Sequence, residues 1–382
     1  MIGSQGRHFH KDTSEVMVHY NHDLDVDHSL LSVFPTLAEA LRDERVLALF
    51  KEYDRRARKH KRAFHALGVG SLLSGLMALS WAALSVMTGA AVGMSPNLGL
   101  VVEGTSALAV ALMIWNVLTQ HHRKWRLALF CRERLRQWHF QKFLDGSLIG
   151  LLTVNPAEYR TEMDRRWAVV RQVLRSQLGE MERFEKSGSS DLELLHPRRA
   201  YADPQLEADV VEALKILRVR HQIGYGAIKL ETPNEGAQFT LDNHQLISQT
   251  FGAVTLVGAV VLAAISFLFA VVLRFSLFPA WVLDVPLASH FDAARWSRLS
   301  SGLSLLLAVW SAGARAYQAG FTVLEEKESY QEYRARVTEI SHILERASLS
   351  KDRWHALAML EEESIAELRR FLRIKRRASF LT

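Results

Sequence analysis

Three stretches of this chain run without a charged side chain for longer than a water-soluble fold tolerates. No Asp, Glu, Lys or Arg occurs between Arg62 and Glu103, from Gly104 to His122, or from Asn243 to Leu273. A hydrocarbon core of roughly 30 Å takes about 20 apolar residues in a helix, and a helix satisfies its own backbone groups there. The sequence therefore predicts an all-α integral membrane protein.

The first uncharged run is too long for one span and breaks at Gly93-Met94-Ser95-Pro96-Asn97. It predicts helices over about 66–93 and 98–119, joined by a tight turn. A third span is expected over about 246–273. A fourth, over 297–319, is shorter in its apolar part and flanked by Arg298 and Arg315, whose stems can lie along lipid while their charge reaches the interface. The expected architecture is four transmembrane helices arranged as two hairpins, with a helical water-exposed region and a long C-terminal helix. The boundaries read as an N-terminal tail and helix over 1–62, a first hairpin over 63–122, a helical region over 123–245, a second hairpin over 246–320 and a C-terminal helical segment over 321–382.

Basic residues near helix ends favour the cytoplasmic side. Arg55, Arg56, Arg58, Lys59, Lys61 and Arg62 precede the first span, and Arg123, Lys124 and Arg126 follow the second. The 275–296 connection carries Phe278, Trp281, Phe291 and Trp296, which suit an outer interfacial belt. This places both termini and the middle section in the cytoplasm and the chain in a cell (inner) membrane as a multi-pass protein. The first 60 residues are polar and carry no signal-peptide pattern. Cys131 is the single cysteine, so no disulfide framework exists. The pI near 9.4 says little about partners, because anionic lipid and nucleotides both favour basic surfaces.

Outside the spans, helical spacing dominates. Residues 36–62 read as an amphipathic helix entering the first span, and a helix through Trp125, Leu129, Leu135, Trp138 and Phe143 is expected to continue out of the second. Asn155-Pro156 and Asp203-Pro204 each supply a capping residue followed by proline at the first helical position, and the first of these helices is expected to stop at Ser187-Gly188-Ser189-Ser190. Tyr330, Tyr333, Val337, Ile340, Leu344 and Ala347 alternate three and four apart, which suits either self-association or packing on a helix of the same subunit.

No phosphate-binding glycine loop, nucleophile elbow or HExxH is present, so no catalytic site and no cofactor are expected. Glu103, in an otherwise apolar helix, either faces water in the outer headgroup layer or forms a cation-favouring ring in an oligomer. Asn116 and Gln120 either line a polar path or bond a neighbouring helix. Ser74, Ala78 and Ala82 on the first span, and Ala308, Ala312, Ala316 and Gly320 on the fourth, are small-residue stripes that let helices approach closely, within a subunit or between subunits. Arg123, Lys124, Arg126, Arg132, Arg134 and Arg136, with His121 and His122 beside them, can hold phosphates, and Trp125 and Trp138 can stack bases; topology and anionic lipid explain the same cations. Arg198, Arg199 and the run Arg369, Arg370, Arg373, Lys375, Arg376, Arg377 are further candidates. His8, His10, His19, His22 and His28 match no trusted ligand spacing, and no metal is expected.

Each predicted hairpin has similar surroundings. Tyr53-Asp54-Arg55-Arg56-Ala57 precedes the first, and Trp125-Arg126 and Arg132-Glu133-Arg134-Leu135-Arg136-Gln137-Trp138 follow it. Arg218-Val219-Arg220-His221-Gln222-Ile223-Gly224-Tyr225 precedes the second, and Glu328-Ser329-Tyr330 with Tyr333 and Arg334 follow it. This pattern resembles the SLATT family, two-helix membrane effector domains of bacterial nucleotide-signalling conflict systems, here with the unit twice, over about 40–145 and 205–350. The long outer loop of the second hairpin departs from a tight two-helix unit. The resemblance implies a pore-forming or membrane-disrupting effector acting in antiphage defence and abortive infection. The implied ligand is a nucleotide or oligonucleotide made by a nucleotidyltransferase partner, as for the channel subunits of Hailong-type systems. The expected function is thus an oligomeric, ion-conducting pore in the lipid bilayer of the bacterial inner membrane, built as a homo-oligomer and gated by that signal. The alternative is a non-conducting membrane scaffold that recruits a cytoplasmic partner through its C-terminal helix.

Overall fold

A computed structural model describes residues 23–88, 96–186, 199–224, 241–274 and 293–378. Among them the chain is helical throughout, with no strand and one isolated backbone bridge between Asp145 and Arg199. Short helices α1 (His28–Val33) and α2 (Ala38–Leu41) lead into α3 (Glu44–Thr88). The 45 residues of α3 contain no proline, so the expected entering helix and first span form one rod of about 68 Å. α4 (Pro96–Thr119) follows, then α5 (His121–Gln141), α6 (Gly146–Val154), α7 (Pro156–Arg175), α8 (Gln177–Lys186) and α9 (Pro204–Leu214). A wider π-helical turn over Lys215–Arg220 extends α9. The chain then forms α10 (Leu241–Arg274), α11 (Ala293–Phe321), α12 (Val323–Arg346) and α13 (Ser350–Arg377).

Three helical stretches are long and apolar enough to cross a membrane, one each in α3, α4 and α10, which fits a multi-pass membrane protein. α11, interrupted by Arg298 and Arg315, does not reach that threshold, but it lies between α3 and α10. The order is α4, α3, α11, α10, each packed on the next. Close approach is set by residues that lack bulk. A Cβ at Gly302 would overlap Met87 Cγ, and one at Gly313 would lie 2.6 Å from Leu76 Cδ1, so α11 meets α3 through two bare backbone positions. Polar ties reinforce the row: Ser71 Oγ donates to the Ala109 carbonyl, Ser311 Oγ to the Gly252 carbonyl, each at 3.1 Å.

The two ends of the molecule present different surfaces. In α4 and α10 large apolar side chains point outward, with Trp115 58% and Leu118 70% exposed. The buried core lies elsewhere, where the first half of α3 meets α5, α6, α7, α9, α12 and α13 through Phe50, Phe130, Trp138, Phe140, Phe143 and Val337. Asn155 Oδ1 and Asp203 Oδ1 accept the Glu158 and Gln205 amides, so both anticipated helix starts are capped.

Three expectations change. The helix leaving the second span is not continuous but stops at Thr119 and restarts at His121. The helix begun at Pro156 ends at Arg175 rather than near Ser187. The single long C-terminal helix is two helices: α12 ends at Arg346, and α13 turns back along it. Tyr333, Val337, Ile340 and Leu344 therefore bury against helices of the same chain.

Candidate functional site

The two helices that leave the apolar region both stop at a single left-handed residue. Gln120 has φ 51° between α4 and α5, and Thr322 has φ 50° between α11 and α12. Among the described residues they are the two non-glycine positions with positive φ. That conformation costs about 1–2 kcal/mol for a residue with a Cβ, and it is least tolerated by a β-branched one such as Thr322. Each break restarts a helix at once: the Lys124 amide donates to the Gln120 carbonyl and the Glu326 amide to the Thr322 carbonyl, both at 3.0 Å.

One residue of the last helix ties both breaks. Lys375 is 3% exposed, ion-paired with Glu326, and its Nζ donates to Thr322 Oγ1 at 3.0 Å. Its carbonyl, an acceptor only, takes the His122 Nε2–H at 2.5 Å. The ammonium sits 5.4 Å from the ring centres of both Trp125 and Phe371. Phe64 of α3 stacks on His122 at 4.7 Å, and the neighbouring His65 meets Phe321 edge-on at 4.4 Å. Burial holds the His122 ring below the ordinary histidine value. The Lys375 carbonyl opposes that shift, and the charges of Arg126 and Lys375 add to it. Six helices thus converge where both exits turn.

Deeper in the polar end lies a buried ionic network. Arg218, carried inward by the π turn, pairs with Glu361 at 3.0 Å and bonds Ser364 Oγ at 2.7 Å. Asp23 lies 2.9 Å from Arg136 and 3.9 Å from Arg218. Arg132 joins Asp54 of α3 at 2.8 Å and Glu133 at 2.5 Å. Burial works against ionisation of Glu133, yet Arg136 and Arg132 hold its carboxyl down to about 2. Burial, with the Glu133 charge nearby, pushes Glu367 up to about 7. The arrangement offers no nucleophile–base pair; what it offers is charge locked across α3, α5, the π turn and α13.

The residues singled out from sequence fall in several places. Glu103 is exposed on α4 and Asn116 half-buried with an unpartnered Oδ1. At about 100° per residue the two lie about 220° apart around the helix, so Glu103 does not share a face with Asn116 and Gln120. Ser74 and Ala78 are buried in the row, whereas Ala82, Ala308 and Ala312 face out of the chain, Ala316 is intermediate and Gly320 is buried. The closest α3–α11 approach uses Gly302 and Gly313, which the stripes missed. In the basic cluster, Arg132, Arg134 and Arg136 are bonded inside the fold, and Arg126 is paired with Glu185. Trp125 and Trp138 lie in the core, Trp138 1% exposed, so neither presents a face for a base. Arg123 and Lys124 stay on the surface.

Arg199 is exposed, its backbone paired with Leu144 and Gly146, and Arg198 lies outside the described residues. In the C-terminal run, Arg369 stacks on Phe184 at 4.8 Å, Arg370 pairs with Glu332 at 3.1 Å, Lys375 is buried, and Arg373, Arg376 and Arg377 are exposed. His8, His10, His19 and His22 lie outside the described residues, and His28 contacts Arg42 at 3.3 Å. No group of metal-ligating side chains occurs among the described residues.

Sequence reasoning counted Lys375 among the candidate phosphate-holding cations of the C-terminal run and passed over Thr322 and Glu326. Neither Gln nor Thr signals a left-handed turn, and Lys375 meets Thr322 across 53 residues of chain and His122 across 253. No family model, curated protein or solved structure matches the chain.

Proposed function

We propose that this chain is an oligomeric membrane effector whose α3, α4, α10 and α11 cross the bacterial inner membrane as two hairpins and, in a homo-oligomer, enclose an ion-conducting pore. The polar helices and both termini lie in the cytoplasm and respond to a nucleotide or oligonucleotide signal in antiphage defence. The observation that carries the gating part is the tie of both exit breaks by Lys375: a ligand that displaces α13 acts on both hairpins together. Such a ligand shifts the pore only by its difference in affinity for the two states. With Trp125 and Trp138 enclosed, phosphate contacts fall to surface cations such as Arg123, Lys124, Arg373, Arg376 and Arg377. The scaffold alternative is less favoured, because Leu357, Leu360, Ile365, Leu368 and Leu372 of α13 are already buried and leave little apolar surface for a recruited partner.

Current across planar bilayers containing the purified full chain tests this reading. Nucleotide-dependent conductance is expected; a silent bilayer with every nucleotide and oligonucleotide class tried favours the scaffold. Glu103→Gln, at unchanged abundance, is expected to lower cation over anion permeability by about twofold or more if the carboxylates ring the outer mouth. Unchanged selectivity removes Glu103 from the pore.

A further inference from the structure

The break at Gln120 leaves a cleft of about 260 Å³ beside it, between the last turns of α4 and the α3 residues that face them. Gly68, Ser71, Met113, Asn116 and Val117 line its part toward the spans, and Phe64, Gln120, His122, Arg123 and Ala378 its other end. Along α4 these follow in the order Met113, Asn116, Val117, Gln120, so the wall passes from hydrocarbon-like to cationic within about two helical turns. A glycerophospholipid has the same succession: acyl chain, ester carbonyl, phosphate. None of the lining residues is acidic. Arg123 is exposed, reaches Gln120 Oε1 at 3.3 Å, and retains donors for an anion. Asn116 lines the cleft one turn deeper than Gln120, and its Nδ2–H is the group that can donate to an ester carbonyl at that level.

We propose that this cleft binds one anionic phospholipid, its phosphate on Arg123 and Gln120, its ester beside Asn116 and an acyl chain against Met113 and Val117. A soluble phosphate compound would leave the apolar wall unfilled, which is why lipid is the source. The inference rests on the membrane placement proposed above; it does not require the pore, and at Arg123 a bound lipid competes with the nucleotide contact proposed there. Ala378 also lines the cleft, three residues after Lys375, so a bound lipid touches the end of the helix that ties the exits.

Native mass spectrometry of the full chain in detergent, titrated with phosphatidylglycerol, phosphatidylcholine or inorganic phosphate, tests it. One phosphatidylglycerol should bind per subunit, at least about tenfold more tightly than phosphatidylcholine, and inorganic phosphate should not displace it. Arg123→Gln should abolish the preference and Asn116→Leu weaken binding about threefold, while Lys124→Gln, beside but outside the cleft, leaves it unchanged. Equal losses for Arg123→Gln and Lys124→Gln would reduce the effect to diffuse surface charge and overturn the site. Displacement by inorganic phosphate would overturn the lipid assignment. Loss of lipid binding in a protein that still conducts refutes this inference alone; a chain that stays in detergent-free supernatant refutes both.

Discussion

The exit after α4 and the exit after α11 reach the same backbone solution with different chemistry. Both stop at one left-handed residue and restart at once. The first is held by a ring and an ionic neighbourhood: His122 on the Lys375 carbonyl, and further along α5 the Arg132–Asp54 pair back to α3. The second is held by the Lys375 ammonium on Thr322 and Glu326, and further along α12 by the neutral Tyr333–Gln222 contact at 3.3 Å inside an apolar seam. The turn is therefore a property of where the chain leaves the apolar region, whereas its sensitivity to charge differs between exits. The first should respond to protons, the second to loss of one ammonium.

The largest expected effect lies where the two halves meet. Arg218→Met leaves Glu361 and Asp23 without their shared guanidinium and should lower stability by about 3–5 kcal/mol, while Arg218→Met with Glu361→Leu should regain most of it. Thermal melts of the detergent-solubilised chain read this, and a loss under about 1 kcal/mol would show that the network does not join the halves. Lys375→Met should follow, at about 1–3 kcal/mol, with faster amide exchange at 319–326 and little change at 117–124, because the carbonyl that takes His122 remains. Equal acceleration at both segments breaks the comparison.

Acidification should come next. The folded His122 value is depressed, so its contribution is present above the ordinary value of about 6.5 and is lost as pH falls below it. Between pH 7 and 5 the protection factors at 117–124, taken against the intrinsic exchange rate at each pH, should fall about threefold, with those at 319–326 unchanged, and His122→Gln should remove the response. A local readout is needed because Glu367, raised to about 7, acts with the opposite sign: its contribution is present at low pH and lost as pH rises through that value. The smallest effect is expected for Gln120→Gly, a net change under about 0.5 kcal/mol, since relief of the left-handed strain is offset by backbone entropy. A loss above about 1 kcal/mol would mean that the Gln120–Arg123 contact, not the backbone, holds the first exit.

The sequence alone determined the separation of solvents. Charge-free runs of span length, the caps at Asn155 and Asp203, and the three–four spacing from Tyr330 to Leu344 are short-range signals, and each corresponds to an observed helix, cap or buried seam. Tertiary structure decided what those helices do with their polar groups. The arginines of α5 that read as candidate phosphate-holding cations are drawn inward because Asp54 and Asp23 arrive from other segments, with Glu133 beside them on the same helix. Trp125 and Trp138 are enclosed because α3 and α13 cover α5. Gln120 and Thr322 adopt positive φ although neither residue type favours it, because contacts remote in sequence, gathered on Lys375, hold those turns in place. Composition and spacing report how a segment meets its solvent; they carry no record of which distant charge will stand opposite it.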